Sequence, residues 1–217
     1  MDHSRPDAIP EPAVRRISLY LRQLETFKRK DRKTVSSKQL GESLGLTDAQ
    51  VRKDLAYFGQ FGHPGIGYLV DELISKLRQI LGTDKTWNVL LVGAGNLGRA
   101  LMAYKGFEAK GFKLVAVFDS DKHKVGSRSG PFMIQPLAEL ANTIQKNNIR
   151  VAILAVPAEA AQDVADRLVD AGVRGILNFA PAAINVPESV TVNSVDLAVQ
   201  MEQITFAVSL ASMGKTA

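Results

Sequence analysis

The residues with the clearest chemical purpose are Gly93, Ala94, Gly95, Asn96, Leu97 and Gly98, a GxGxxG sequence, together with Asp119, which lies 21 positions after Gly98. Three glycines at this spacing serve three needs of a dinucleotide site. The first permits a tight turn, the second lets a pyrophosphate approach the backbone, and the third lets the following helix pack on the preceding strand. An acid about 20 residues further on is placed to accept from the adenosine ribose hydroxyls and to repel a 2′-phosphate, so NADH or NAD+ is expected over the phosphorylated forms. Lys122 and Lys124 lie close to that acid and weaken the discrimination.

The elements that must position these residues are readable on either side. Asn88 to Val92 has the pattern of a buried strand leading straight into the glycines, Arg99 to Lys110 reads as one helix stopped by Gly111, and Leu114 to Phe118 is a second strand ending on Asp119. Helices over 137–146 and 159–171 and strands over 151–156, 175–179 and 190–193 continue the alternation. The expected fold is therefore α/β with a Rossmann-type, mainly parallel sheet. Ligands in such sheets lie beyond the strand C-termini, which puts Val156, Pro157, Asn178, Phe179, Ala180 and Pro181 beside the nicotinamide. These segments are mostly apolar. An oxidised nicotinamide carries a ring charge that is costly to bury, so such a pocket should prefer NADH.

Hydride transfer to a carbonyl would need a proton donor. The histidines are His3, His63 and His123, none of them where a substrate would meet the nicotinamide, and no Tyr-x-x-x-Lys follows Tyr20, Tyr57, Tyr68 or Tyr104. The dinucleotide is thus expected as an effector and not as a redox substrate. An NAD-dependent dehydrogenase, or a protein that binds coenzyme A or another nucleotide without DNA affinity, is the competing reading.

The first part of the chain supplies a different chemistry. Apolar residues Val14, Ile17, Leu21 and Leu24 mark an amphipathic helix ending near Phe27, ahead of the basic run Lys28 to Lys33. Ser36 to Gln39 has capping-box spacing, Gly45 ends the short helix that follows, and Thr47 to Gln50 repeats the spacing at once. Two short helices joined by a glycine turn are the layout of a helix-turn-helix. On the second of them Val51, Leu55 and Phe58 fall on one side, Ala49, Gln50, Lys53 and Tyr57 on the other, and Arg52 on the flank. Gln pairs with adenine, Lys reaches guanine or phosphate, and a small Ala lets a helix approach the groove floor. Residues 58–68 then read as a small β-hairpin wing with His63 at its tip, near a phosphate or the minor groove. Thr47, Ala49, Gln50, Arg52, Lys53, Tyr57 and His63 are the expected contacts to double-stranded operator DNA.

Charge agrees in sign. Of 27 Lys+Arg and 22 Asp+Glu in 217 residues, residues 1–86 hold 15 and 11, an excess of four positive charges, while the remainder is nearly balanced. There are no cysteines, so disulfides and thiolate metal sites are excluded, and no metal site is expected. Neither a signal-like apolar run nor a membrane span is present, so a cytoplasmic protein is expected. Val70 to Leu81 forms a connecting helix, and the expected domains are 1–86 (winged helix and connecting helix), 87–195 (Rossmann) and 196–217. In the last segment Leu197, Met201, Ile204 and Val208 fill one helix face while Val199, Phe206 and Leu210 fill others, so a partner subunit is expected to cover it.

Taken together, Gln50 to Gly59, Val92 to Gly98 and Gly175 to Pro181 resemble the Rex redox-sensing repressors, over nearly the whole chain. The resemblance implies a homodimer that exchanges its C-terminal helices and a transcriptional repressor that leaves its operator when NADH binds. It also implies an interdomain polar network at Arg22, Tyr104 and Asp196.

Overall fold

A computed structural model describes residues 9–63 and 65–213, and within them the chain divides after Lys85 into two units. Pro64, at the expected wing tip, and His3 lie outside the described residues. No described helix is long and apolar enough to cross a membrane.

The first unit begins with α1 (Glu11–Arg29), β1 (Thr34–Val35), α2 (Ser37–Glu42) and α3 (Asp48–Ala56). It ends with β2 (Tyr68–Leu69) and α4 (Val70–Ile80). Ser36 caps α2 as the spacing predicts: its hydroxyl accepts from Gln39 N–H at 3.1 Å and the Gln39 amide oxygen accepts from Ser36 N–H at 3.0 Å. Gly45 takes φ 68° between α2 and α3, a conformation that costs other residues a steric penalty. Ile17, Tyr20, Leu24, Leu40, Val51, Leu55 and Leu77 close the core. Val14 departs from its expected place and is exposed, because the buried stripe of α1 runs through Ala13, Ile17 and Tyr20.

The wing also differs from a simple hairpin. His63 and Gly67 form a single antiparallel bridge, but β2 pairs with β1 ahead of α2, Val35 opposite Tyr68. Phe61 is partly buried and packs against the core. The arm is thereby anchored to a strand remote in sequence.

The second unit contains β3 (Trp87–Val92), α5 (Asn96–Met102), α6 (Gly106–Ala109) and β4 (Phe112–Asp119). After β5 (Arg128–Ser129) and β6 (Phe132–Pro136), a 3-10 turn over Leu137–Glu139 leads into α7 (Leu140–Lys146). It continues through β7 (Val151–Leu154), α8 (Ala158–Asp170), β8 (Gly175–Asn178), β9 (Thr191–Ser194) and α9 (Leu197–Met213). The sheet order is β5-β6-β4-β3-β7-β8-β9, parallel except for β5 against β6. Alternating side chains serve opposite faces. Leu90, Val92, Phe118 and Leu154 pack under α7 and α8, while Val89, Leu91, Val117 and Ile153 face Leu101, Met102 and Phe107.

The single helix expected over 99–110 is broken. α5 stops at Met102, and the chain resumes as the one-turn α6, with the Tyr104 ring folded over Gly106 so closely that a Cβ there would lie 2.3 Å from it. β3 is followed by β4 on one side and later flanked by β7 on the other. Their diverging C-terminal ends make the crevice in which ligands of open α/β sheets bind.

Candidate functional site

At that crevice lies a cleft of about 990 Å³ lined by the loop after β3, the end of β4 and the loops after β7 and β8. The glycine loop is built for close approach. Gly93 has φ 104°, and a Cβ on it would sit 2.1 Å from the Ala155 carbonyl oxygen; a Cβ on Gly98 would sit 1.9 Å from that of Gly93. These two glycines therefore pack strand, loop and helix together. A Cβ on Gly95 would meet nothing within 4 Å, so this glycine leaves its backbone bare toward the cleft.

Asp119 is buried and wired into the loop. Its Oδ2 accepts from Ala94 N–H at 2.8 Å and from Lys124 Nζ at 3.0 Å, and its Oδ1 accepts from Asp121 N–H at 2.8 Å. Burial would push this carboxyl up, but the two backbone N–H groups and the Lys124 ammonium outweigh it and hold it below the usual carboxylate range. It is charged at neutral pH. Of four acceptor sites on a carboxylate three are filled, which leaves room for one ribose hydroxyl.

The expected site residues separate accordingly. Gly93, Gly95, Asn96, Leu97, Asp119, Val156, Pro157, Phe179 and Pro181 line the cleft. Ala94 and Gly98 are buried behind it, and the Ala94 N–H is committed to Asp119 rather than turned to a phosphate. Asn178 and Ala180 are also behind the wall. Asn178 is fully buried, donates to the Ala182 carbonyl at 2.9 Å and accepts from Ala180 N–H at 2.9 Å, so it shapes the loop that offers Phe179. Lys124 is the neighbour of Asp119 that the sequence understated: five residues on, it returns through a turn to the same carboxylate.

Ala49 and Lys53 on α3 and Tyr57 just after it are exposed as expected, and so is Thr47 just before it, whose hydroxyl accepts from Gln50 N–H at 3.1 Å. Arg52 is held by Asp48 at 2.6 Å and by Ser37 at 3.1 Å. His63 is exposed, with Nε2 3.7 Å from Glu72. Gln50 differs from its expected place among the outward residues. It is half-buried, and its amide donates to Asp54 Oδ1 at 2.8 Å. Asp54 is wholly buried and also accepts Arg16 Nε at 2.5 Å, Arg16 Nη2 at 2.7 Å and Tyr20 Oη at 2.6 Å. Burial opposes its charge, yet these donors hold its carboxyl below the usual range; burial and Asp54 in turn push the Tyr20 phenol well up.

Comparison with known proteins resolves what this pairing of sites belongs to. Residues 8–56 match the family described as a putative DNA-binding protein N-terminus, and residues 84–182 match the CoA binding domain family. The redox-sensing transcriptional repressor Rex of Carboxydothermus hydrogenoformans is 52% identical over 198 residues, covering 91% of this chain and 95% of that protein. That of Desulforamulus reducens is 48% identical, with 93% and 96% covered. The chain belongs to the Rex family of redox-sensing transcriptional repressors.

Solved Rex-family structures agree over both units. RSP in complex with β-NAD+ and operator DNA has a TM-score of 0.90 at 37% identity, covering 96% of each chain. RSP in complex with β-NADH has a TM-score of 0.86 at 35% identity, covering 96% of this chain and 98% of that one. The three residues that the Rex resemblance singles out have the following surroundings within their own units. Arg22 is exposed on α1, the Tyr104 ring lies edge-on to Phe107 at 5.0 Å, and Asp196 caps α9 by accepting from Ala198 and Val199 N–H at 2.9 and 3.2 Å.

Proposed function

We propose that this chain is a homodimeric repressor that binds operator DNA through α3 and the wing, and that NADH at the β3–β4–β7 edge releases it. The supporting observation is the wired carboxylate: Asp119 is charged, fixed against the glycine loop, and has one acceptor site left for a ribose hydroxyl beside a glycine with open space over it. Gly93, Gly95, Asn96 and Leu97 hold the pyrophosphate end. Val156, Pro157 and Phe179 surround the nicotinamide end, where an uncharged ring is favoured over a charged one. The dinucleotide acts as an effector in the cytoplasm and no hydride is transferred, so the chain is a regulator and not an enzyme.

DNA is met by Ala49 and Lys53 on the open face of α3 and by the half-exposed Gln50, by Thr47, Arg52 and Tyr57 beside them, and by His63 in the wing. Dimerisation covers α9, whose apolar side chains stand exposed. Arg22, Tyr104 and Asp196 take part in coupling between the units. A ligand displaces such an equilibrium only by its differential affinity for the two states, so NADH must bind the DNA-free state more tightly. The test is a fluorescence-anisotropy titration of labelled operator complex with NADH, NAD+, NADPH and coenzyme A. Release by NADH at concentrations where the others leave the complex intact is expected; release by coenzyme A alone would overturn the assignment.

A further inference from the structure

The Asp54 carboxylate is saturated. Arg16 gives it a two-pronged donor pair, one to each oxygen, Tyr20 donates to Oδ2, and Gln50 donates to Oδ1. Four donors fill the four acceptor sites of a carboxylate, and the group is entirely buried, so it has nothing left to offer water or DNA. Its whole capacity is spent on joining α1 to α3 and on one side chain of α3 that stands half in the open.

The direction of the Gln50 bond is fixed by charge. A carboxylate only accepts, so the Gln50 NH2 must face Asp54 and the carbonyl oxygen must turn away. An amide without such a neighbour flips at little cost and can show a donor or an acceptor first. Here it cannot. What remains for a ligand is the carbonyl oxygen and one N–H, the acceptor and donor that match the N6 amino group and N7 of adenine. A guanine in the same place would set its O6 acceptor against the Gln50 oxygen, a repulsion that discriminates as strongly as the attraction.

We propose that Asp54 is a positioning residue for base recognition: by locking the Gln50 amide in one orientation it makes α3 read adenine, and reject guanine, at one base pair of each half-site. Arg16 and Tyr20 act a step further back, holding Asp54. The proposal rests on α3 being the element that reads the operator.

The experiment measures full-length wild type, Asp54→Asn and Gln50→Met against duplexes in which each base pair of the operator half-site is changed singly, by competition. Wild type is expected to lose about tenfold or more when one A·T becomes G·C at the Gln50 position. In Asp54→Asn the second amide can donate to Gln50 as well as accept from it, so discrimination there should fall to about threefold or less, while discrimination elsewhere and the salt dependence stay as in wild type. A folded Asp54→Asn that keeps the A over G preference, or that loses affinity equally for every duplex, overturns the proposal. If thermal melting shows Asp54→Asn unfolded, Gln50→Met decides, since it leaves Asp54, Arg16 and Tyr20 in place: retained A over G preference in that variant overturns the proposal, and its loss at that base pair alone upholds it. A wild-type chain that is not retained on operator at all sinks the reading of α3, and the proposal with it.

Discussion

The Asp119 carboxylate accepts the Ala94 N–H at 2.8 Å, so the acid at the end of β4 and the turn after β3 are one rigid object. Replacing Asp119 therefore does two things at once. Asp119→Ala removes the proposed ribose acceptor and frees the loop proposed to approach the pyrophosphate. A charge-assisted hydrogen bond is worth roughly 1.5–3 kcal/mol, so NADH affinity should fall about tenfold to a hundredfold. Asp119→Asn, which can still accept from Ala94, should fall less. Fluorescence titration of both variants with NADH checks the order, and equal affinities for Asn, Ala and wild type would mean that the nucleotide lies elsewhere. Affinity for operator without ligand should stay at the wild-type level in both.

Two glycines three residues apart are expected to respond oppositely to the same methyl group. Gly98→Ala drives a Cβ into the Gly93 carbonyl, 1.9 Å away, an overlap that costs about 1–3 kcal/mol and should lower the melting temperature. Gly95→Ala meets nothing within 4 Å and should melt as wild type while binding NADH more weakly, because the methyl occupies the space a pyrophosphate needs. Differential scanning calorimetry with and without NADH separates the two effects. Unchanged NADH affinity in Gly95→Ala would sink the placement of the phosphates.

Lys53 is exposed on the open face of α3, so Lys53→Ala should leave folding and NADH binding alone and weaken operator binding by about 1–3 kcal/mol. If Lys53 meets a phosphate the loss will be uniform over sequences and the salt slope shallower by about one; if it meets a base the loss will be confined to one position. An unchanged operator affinity would remove α3 from the interface.

Acid should loosen the DNA-binding unit through Asp54. Its folded-state pKa is depressed by Arg16, Tyr20 and Gln50 against the opposing effect of burial. The stabilisation is therefore complete above the unfolded-state value of about 3.9 and is lost as pH falls through the lower folded-state value. Protection factors of the α3 amides of the full chain, measured from pH 6 downward and corrected for the intrinsic exchange rate, should stay level to about pH 4 and fall steeply below it in wild type, with a flatter acid limb in Asp54→Asn. Parallel curves would place the acid sensitivity in other groups.

Local chemistry is what the sequence exposes. The Ser36–Gln39 cap, the Gly93 to Gly98 turn and the strand running into Asp119 each involve residues within one element or its edge, where spacing alone fixes geometry. Gln50 escaped because its partner's orientation is set by Arg16 and Tyr20, which arrive from another helix, 38 and 34 positions before Asp54. A helical wheel of α3 sees only an amide on the outer side. Asn178 escaped for a similar reason: it reads as a polar residue at a strand end, whereas full burial and two bonds within its own loop make it a brace. The helix break at Tyr104 depends on how an aromatic ring folds back over a glycine, a contact that apolar periodicity does not encode.

In the proposed homodimer the exposure of α9 ties the protein's stability to its own abundance. Leu197, Met201, Ile204, Phe206 and Leu210 are all more than half exposed, and a helix of 17 residues with so little of its own unit against it is marginal in water. The proposed pairing supplies the missing free energy through association, which obeys mass action: each tenfold dilution of a dimer removes about 1.4 kcal/mol from the assembled state. At low copy number the order of this helix, and of whatever it covers in a second subunit, follows how many molecules the cell holds.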